Sequence, residues 1–425
     1  MKRKKSAVSL LIVICVLAGM LTGCGQSKER SDGKIEIEIV QYKPEAVKVF
    51  EALEEKFNAT HDDIHLTIDS PNDAMTILKT RFIREDNPDI IGIGGDINFS
   101  NFIDSDMLMD ISDFDGLDDI KQAYKDINKN LEFVPEEGVY GVPYMANAAG
   151  ILYNKDIFDE HGWTIPTTWS EFIKLCDDIQ AAGIQPLTFG FKDTWTCLAP
   201  WNALAVDLAP ADVCSQVNAG ETTFTEEYRT VAERMLELLP YGPDDPFAYN
   251  YNDACTAFAN GESAMYTIGS YAVPQIKSVN PDMNIDSFVC PGAEDEAENA
   301  LNSGNDLEFC VMEDCENKEA AYEVLRFLLE DENIQMYLDD QSAVPCKEGD
   351  FELPEILNGM SDYIKDGRMK DYQDHYYPSE MAVDAQIQTF LMQKDVDAFL
   401  KKFDTDWVRY NRDIIRKVEE YNASH

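Results

Sequence analysis

Three glycines close a short apolar run in the string PDIIGIGG, and Gly92, Gly94 and Gly95 are the first residues of this chain whose spacing could do chemistry. A dinucleotide site uses such glycines to bring backbone against a pyrophosphate, but its fingerprint wants a third glycine at 97. That position is Ile97, with no clear helix opening after it. The glycines are read instead as a sharp turn at a strand end that leaves Asp96 at the edge of a crevice. His61 and His65 stand four apart yet straddle a helix end and a strand start, so they share no face for a metal. The other histidines are scattered, and neither HExxH nor GxSxG occurs. None of the ten cysteines falls in CxxC spacing, which disfavours a zinc ribbon or a thioredoxin-type pair. No cofactor and no metal is expected from these patterns.

Binding chemistry therefore has to come from what the chain holds in quantity, acids and aromatics. Asp and Glu number 80 against 35 Lys and Arg, a formal net charge of −45. A surface that acidic repels phosphate backbones and anionic headgroups, so nucleic-acid partners are excluded. The first residues are different: Lys2, Arg3, Lys4 and Lys5 precede an apolar stretch from Ala7 to Leu21. That stretch is too short for the ~20 residues of a membrane-spanning helix and reads as a secretory signal. Its end, Leu21, Thr22, Gly23, Cys24, resembles the bacterial lipobox, in which the cysteine is lipidated and becomes the first mature residue. Residues 1–23 are thus expected to be a lipoprotein signal peptide and 24–33 a polar tether. A protein held by its lipid on the outer face of the cell membrane follows. Of the ten cysteines eight remain for the body, where free buried thiols and a few bridges are equally open.

The remainder, about 400 residues, is long enough for two domains. Ile35, Ile37 and Ile39 alternate with polar or opposite-facing residues as a strand does, and Ala46, Phe50, Leu53 and Phe57 then recur at helical spacing. IHLTID, a helix around Met75 to Phe82 and PDIIGIGG continue the strand–helix–strand rhythm of a parallel α/β sheet, which binds ligands beyond the carboxyl ends of its strands. Further on, a strand at Gly150 to Tyr153 precedes a helix opened by a capping box, Thr168 with Glu171. Trp169, Phe172, Ile173, Cys176 and Ile179 form its buried face, Gly183 ends it, and IQPLTFG is another strand. In the tail, Phe399, Phe403 and Trp407 at i, i+4, i+8 read as helix-packing core.

The strings GVPY, ILYNKDIF, PTTWSEF and an Ala-Gly-Ile-x-Pro-Leu turn, in this order, resemble the family 1 extracellular solute-binding proteins of ABC importers, the maltodextrin-binding class. MLMDISDF, FANGESAMYTIGSYAVPQI, CENKEAAYEVLRFLLEDENIQMYL and AVPCKEG extend the resemblance over nearly the whole mature chain. It implies an α/β, two-lobe periplasmic-binding-protein-like fold with the ligand in the cleft between lobes. Lobe 1 would be 34–145 plus 300–343, and lobe 2 would be 146–299 plus 344–425. It also implies a monomer that captures a carbohydrate ligand by closing its lobes, hands it to permease subunits in the membrane, and does no chemistry on it.

A neutral sugar offers hydroxyls and a flat patch of C–H bonds, so its site needs aromatic platforms and carboxylates or amides that grip hydroxyls. The resemblance places Tyr271 where the family commonly carries a stacking Trp, and Asp193 and Trp195 where relatives set an acid and an aromatic against the sugar. Trp201, by contrast, reads as helix core. Gln41 and Tyr42 end the first strand, Asp96 follows the glycine turn, and Asn147 stands beside the crossover, either as a hydroxyl clamp or as a turn residue. Asp306 lies in the loop SGNDLEF, and Tyr376 and Tyr377 in DHYYPSEM would complete an aromatic wall. Two other readings stay open: a binding protein for a polyamine or organophosphate, and a secreted glycoside hydrolase working through paired carboxylates.

Overall fold

The computed structural model describes residues 33–425; the signal segment, Cys24 and nearly all of the tether lie outside the described residues. Ten of the twelve strands in the described residues form two main sheets. The first has the order β11-β4-β10-β3-β1-β2, built from β1 (Ile35–Gln41), β2 (Ile64–Asp69), β3 (Ile90–Ile93), β4 (Val142–Ala146), β10 (Asn305–Val311) and β11 (Val344–Pro345). The second has the order β6-β7-β5-β8, from β5 (Ile151–Asn154), β6 (Gln185–Thr188), β7 (Ser263–Tyr266) and β8 (Ile285–Phe288). A parallel pair, β9 (Leu301–Asn302) with β12 (Met369–Lys370), lies where the chain passes between them.

The alternating isoleucines of β1 pair in parallel with β2 and β3, Ile37 opposite Leu66 and Ile39 opposite Ile90, and all are buried. Helices cover the sheet as the periodicity predicts. Val49, Phe50, Leu53 and Phe57 form the buried stripe of α1 (Val47–Thr60), and α2 (Ala74–Ile83) follows β2. The helix expected from NKEAAYEVLRFLLEDENIQMYL is two, α8 (Lys318–Leu328) and α9 (Asp331–Asp340), broken at Leu329–Glu330. The side chains of Ala321, Val324, Leu325 and Leu328 are buried as that stripe requires.

Two expectations at the glycine run need correction. A helix does open directly after it, α3 (Ile97–Asp104), with Asp96 as its N-cap accepting from the Asn98 N–H. The glycines there have ordinary negative φ; what demands them is close approach. A Cβ on Gly92 would stand 2.6 Å from the Gln41 Cβ, and one on Gly95 2.8 Å from the Asn305 Cβ.

In the second lobe, Thr168 caps α5 (Trp169–Ala181), whose buried face holds Trp169, Phe172, Cys176 and Ile179; Ile173 is half-buried. The other capping-box arm is shifted by one residue, since Glu171 accepts from the Thr167 N–H. Buried α6 (Leu198–Leu208) carries Trp201, fully enclosed as expected. The tail folds as α10 (Val383–Gln393), α11 (Val396–Tyr410) and α12 (Arg412–Ser424). Phe399, Phe403 and Trp407 pack against Trp201, Phe224 and Tyr228 with ring centroids 4.7–5.6 Å apart.

All eight cysteines among the described residues are free thiols, seven of them buried and Cys315 half-buried. Burial pushes the Cys255 thiol up to about 11 and that of Cys315 to about 12, so little thiolate exists at neutral pH. The native chain is therefore expected to resist a thiol reagent at pH 8 and to react at all eight positions in denaturant. Fast native labelling would contradict the packing.

Candidate functional site

Each lobe offers one edge of its sheet to the gap between them, and strand direction decides which residues arrive there. In the first sheet β1 and β3 run parallel, so Tyr42 and Asp96 leave their carboxyl ends side by side. Because β10 is antiparallel to β3, its beginning, with Asn305 and Asp306, lies at the same edge. In the second, β6 and β7 are parallel, so Asp193 and Trp195 after one and Tyr271 after the other are brought together.

Trp195 and Tyr271 form the aromatic wall. Each ring sits on a short 3-10 turn, Thr194–Cys197 and Ser270–Ala272, with centroids 6.3 Å apart and planes inclined at 49°. They are 41% and 42% exposed, unusual for large aromatics that could have been buried. Tyr251 extends the wall, 5.1 Å from Trp195. Tyr271 leaves no room for a side chain at Gly269, where a Cβ would lie 2.3 Å from its ring. Asp193 supports rather than faces: its Oδ2 accepts from the Tyr251 N–H at 2.9 Å and so fixes the third ring.

A turn after β12, Gln373–Tyr376, supplies the polar floor. Asp374 lies within electrostatic reach of Tyr271, and Tyr372 feels both Tyr271 of one lobe and Asp306 of the other. The buried Tyr372 hydroxyl has no hydrogen-bond partner among the described residues. Asp374 accepts from the Asn202 amide at 2.7 Å, and the His375 Nδ1 pairs with Asp371 at 2.8 Å. Burial works against the His375 imidazolium, but Asp371, with Asp374 and Asp96 beyond it, more than offsets this and pushes its pKa up to about 10. The ring is thus a cation at neutral pH, with Nδ1–H donating to Asp371. Asp96, Asp374, His375 and Asp384 line a cavity of about 250 Å³ between the lobes.

The first-lobe wall is organised by Asp306. It accepts from Lys43 Nζ at 2.5 Å, while its backbone carbonyl accepts from the Tyr42 hydroxyl. Burial alone would lower the Lys43 pKa; Asp306 and Glu45 raise it instead, so the ion pair persists. A Cβ on Gly94 would lie 3.3 Å from the Tyr42 hydroxyl.

One expected site residue is not on a cleft wall. Gln41 is fully buried, its amide consumed: Nε2 donates to the Lys43 carbonyl and Ser70 Oγ, and Oε1 accepts from the Lys43 N–H. It shapes the loop that presents Tyr42 and Lys43. Tyr377 lines the interlobe cavity, but its ring is only 5% exposed and its hydroxyl is engaged, donating to Tyr228 and accepting from the Trp201 indole. Tyr376 is buried too. Asn147 clasps the crossover, its N–H donating to the Gly304 carbonyl and its Oδ1 accepting from the Gly304 N–H. The string DHYYPSEM does reach the cavity, through Tyr377 and also through Asp374 and His375, which sequence reasoning did not single out; the signal missed was the acid–histidine pair Asp371/His375 at i, i+4 beside the tyrosines. Tyr251 and Asp384 carried no local signal at all.

Residues 43–335 match the bacterial extracellular solute-binding protein family. The multiple sugar-binding protein of Streptococcus mutans is 28% identical over 358 residues, 80% of this chain and 82% of that protein. The melibiose/raffinose/stachyose-binding protein MelE of Bacillus subtilis is 18% identical over 381 residues, 87% and 88% of the two chains. Among solved structures, apo RafE from Streptococcus pneumoniae has a TM-score of 0.78 at 24% identity, covering 90% of this chain and 98% of the other. A family 1 extracellular solute-binding protein from Bifidobacterium longum subsp. infantis has 0.74 at 22%, covering 89% and 100%. These two share the two-lobe fold with the cleft just described. By the match over most of its length and by this architecture, the chain belongs to the bacterial extracellular solute-binding proteins.

Proposed function

We propose that this protein is the capture subunit of a carbohydrate ABC importer: it closes two lobes on a sugar or oligosaccharide and delivers it to a membrane permease, tethered outside the cell through a lipid on Cys24. One observation carries the ligand class. Trp195 and Tyr271 are large rings left more than two-fifths exposed, with Asp374 within electrostatic reach of Tyr271 and Asp384 accepting from Thr194 beside Trp195. Aromatic faces take the C–H patch of a sugar, and charged planar groups take its hydroxyls.

The same residues argue for binding without catalysis. Asp374 is held by Asn202, Asp96 caps its own helix, and Asp384 accepts from Thr194, so the cavity acids are committed as fixed acceptors. The His375 cation opposes a polyamine, for which aromatics and acids alone would serve. The chain truncated after Cys24 is to be melted with melibiose, raffinose, stachyose, malto-, xylo- and chito-oligosaccharides and with spermidine. A ligand at 100 times its Kd should add about 2.7 kcal/mol of stability. A shift with spermidine alone would overturn the sugar reading, and release of reducing ends would overturn the non-catalytic one. Cys24→Ala should shed the protein into the medium; a variant that stays with the cells refutes the lipid tether.

A further inference from the structure

The cavity beside Asp374 and His375, about 250 Å³, is smaller than the roughly 300–1,000 Å³ of small-molecule sites. It does not end at its own rim. Ile97, Asn98, Pro378 and Ser379 line it and also line a second cavity of about 450 Å³, between the start of α3 and the corner where α11 meets α12. First-lobe residues Lys79 and Asn101 form one side of this second space, and Tyr410 and Arg412 of the tail form the other. It is therefore an interlobe space like the first.

Its lining offers a ring, donors and acids together. Tyr410 is 38% exposed, an aromatic ring presented at a lobe boundary. Arg412 makes no ion pair among the described residues, in a chain where acids outnumber cations by more than two to one. At the base Asn411 is 1% exposed and its Nδ2 has no hydrogen-bond partner among the described residues, an unmet buried donor. The corner is stiff, since the Asn411 N–H donates to Trp407 and its carbonyl accepts from Ile415, both at 2.8 Å. Glu380 and Asp413 balance the cations, so nothing here selects an anionic group.

We infer that the cleft is two compartments in series, and that the one at Tyr410 binds the distal units of a linear oligosaccharide whose first unit rests on Trp195 and Tyr271. This inference rests on the sugar reading above. Tyr410 supplies a second ring platform, while Arg412 and Asn101 supply donors to hydroxyl oxygens.

The test is affinity against chain length, by calorimetry, within whichever series binds: melibiose, raffinose, stachyose, or the malto-, xylo- or chito-oligosaccharides from two units to five. The wild type should gain about tenfold or more between the disaccharide and the longer members. Tyr410→Ala and Arg412→Ala should remove most of that gain while holding disaccharide affinity to within about twofold and leaving the unliganded melting temperature in place. Length-independent affinity in the wild type, or equal weakening for short and long ligands in the variants, overturns the second compartment and leaves the sugar reading standing. If the wild type binds no member of any series, the sugar reading fails and this inference falls with it.

Discussion

Trp195→Ala is expected to weaken sugar binding by about 2 to 3 kcal/mol, the range of a central aromatic anchor, which is roughly 30- to 150-fold in Kd. The ring is 41% exposed in the unliganded protein, so its removal opens no enclosed cavity and the unliganded melting temperature should barely move. Trp195→Phe should recover part of the loss, because a smaller face still covers sugar C–H bonds. Tyr271→Ala should act in the same direction. The two rings lie 6.3 Å apart and face one ligand, so the double variant should lose less than the sum of the singles. Calorimetric titration with the sugar found by the melting panel decides the matter. Intact affinity in a destabilised Trp195→Ala would make the ring structural and move the platform elsewhere.

Glu308→Gln is expected to flatten the fall in stability between mildly acidic and alkaline pH. Glu308 sits on β10 with no solvent exposure; its Oε2 accepts from the Asn128 amide at 2.6 Å, and its Oε1 has no partner among the described residues. Burial, chiefly, with Asp96 and Asp371 adding repulsion, pushes its pKa up to about 8 despite the Asn128 hydrogen bond. The sign follows from proton counting. Between the ordinary value of 4.5 and about 8 the folded chain holds a proton that the unfolded chain has released. The associated stability is therefore fully present below pH 4.5 and is lost as pH rises through 8. Its size is on the order of 5 kcal/mol. Asp207, pushed up to about 7 mainly by burial, adds a fall of the same sign over a lower window. Glutamine keeps the acceptor for Asn128 and never ionises, so the Glu308→Gln protein should exceed the wild type in melting temperature at pH 8.5 and approach it at pH 5. Parallel profiles for the two would mean that Glu308 is not the group responsible.

Much of this molecule was legible one element at a time. The isoleucine alternation of β1, the stripe of α1, the capped start of α5 and the core stripe Phe399, Phe403, Trp407 are local patterns, set by side-chain period against a single buried face. Where local patterns compete, the sequence is less legible. INFSNFID is a short helix whose start is hidden behind glycines, and the Asp96 cap reveals it only in three dimensions. The glycines themselves were assigned to a turn, but what excludes a side chain at Gly92 and Gly95 is the neighbouring strand, and strand neighbours are not sequence neighbours.

By itself the sequence determined the family, the α/β character and the aromatics Trp195 and Tyr271 as cleft candidates. Only the tertiary structure decided which polar residues meet them. Gln41 and Tyr377 have the right chemistry, but their hydrogen-bonding groups are spent on Lys43, Ser70, Tyr228 and Trp201. Asp374 and His375 reach the cavity because a turn more than a hundred residues from Trp195 is brought beneath it by the β9–β12 pairing. A binding cleft between two lobes is made from non-local contacts. Residue type states what a side chain can offer a ligand, and the packing around it decides whether that offer is already taken.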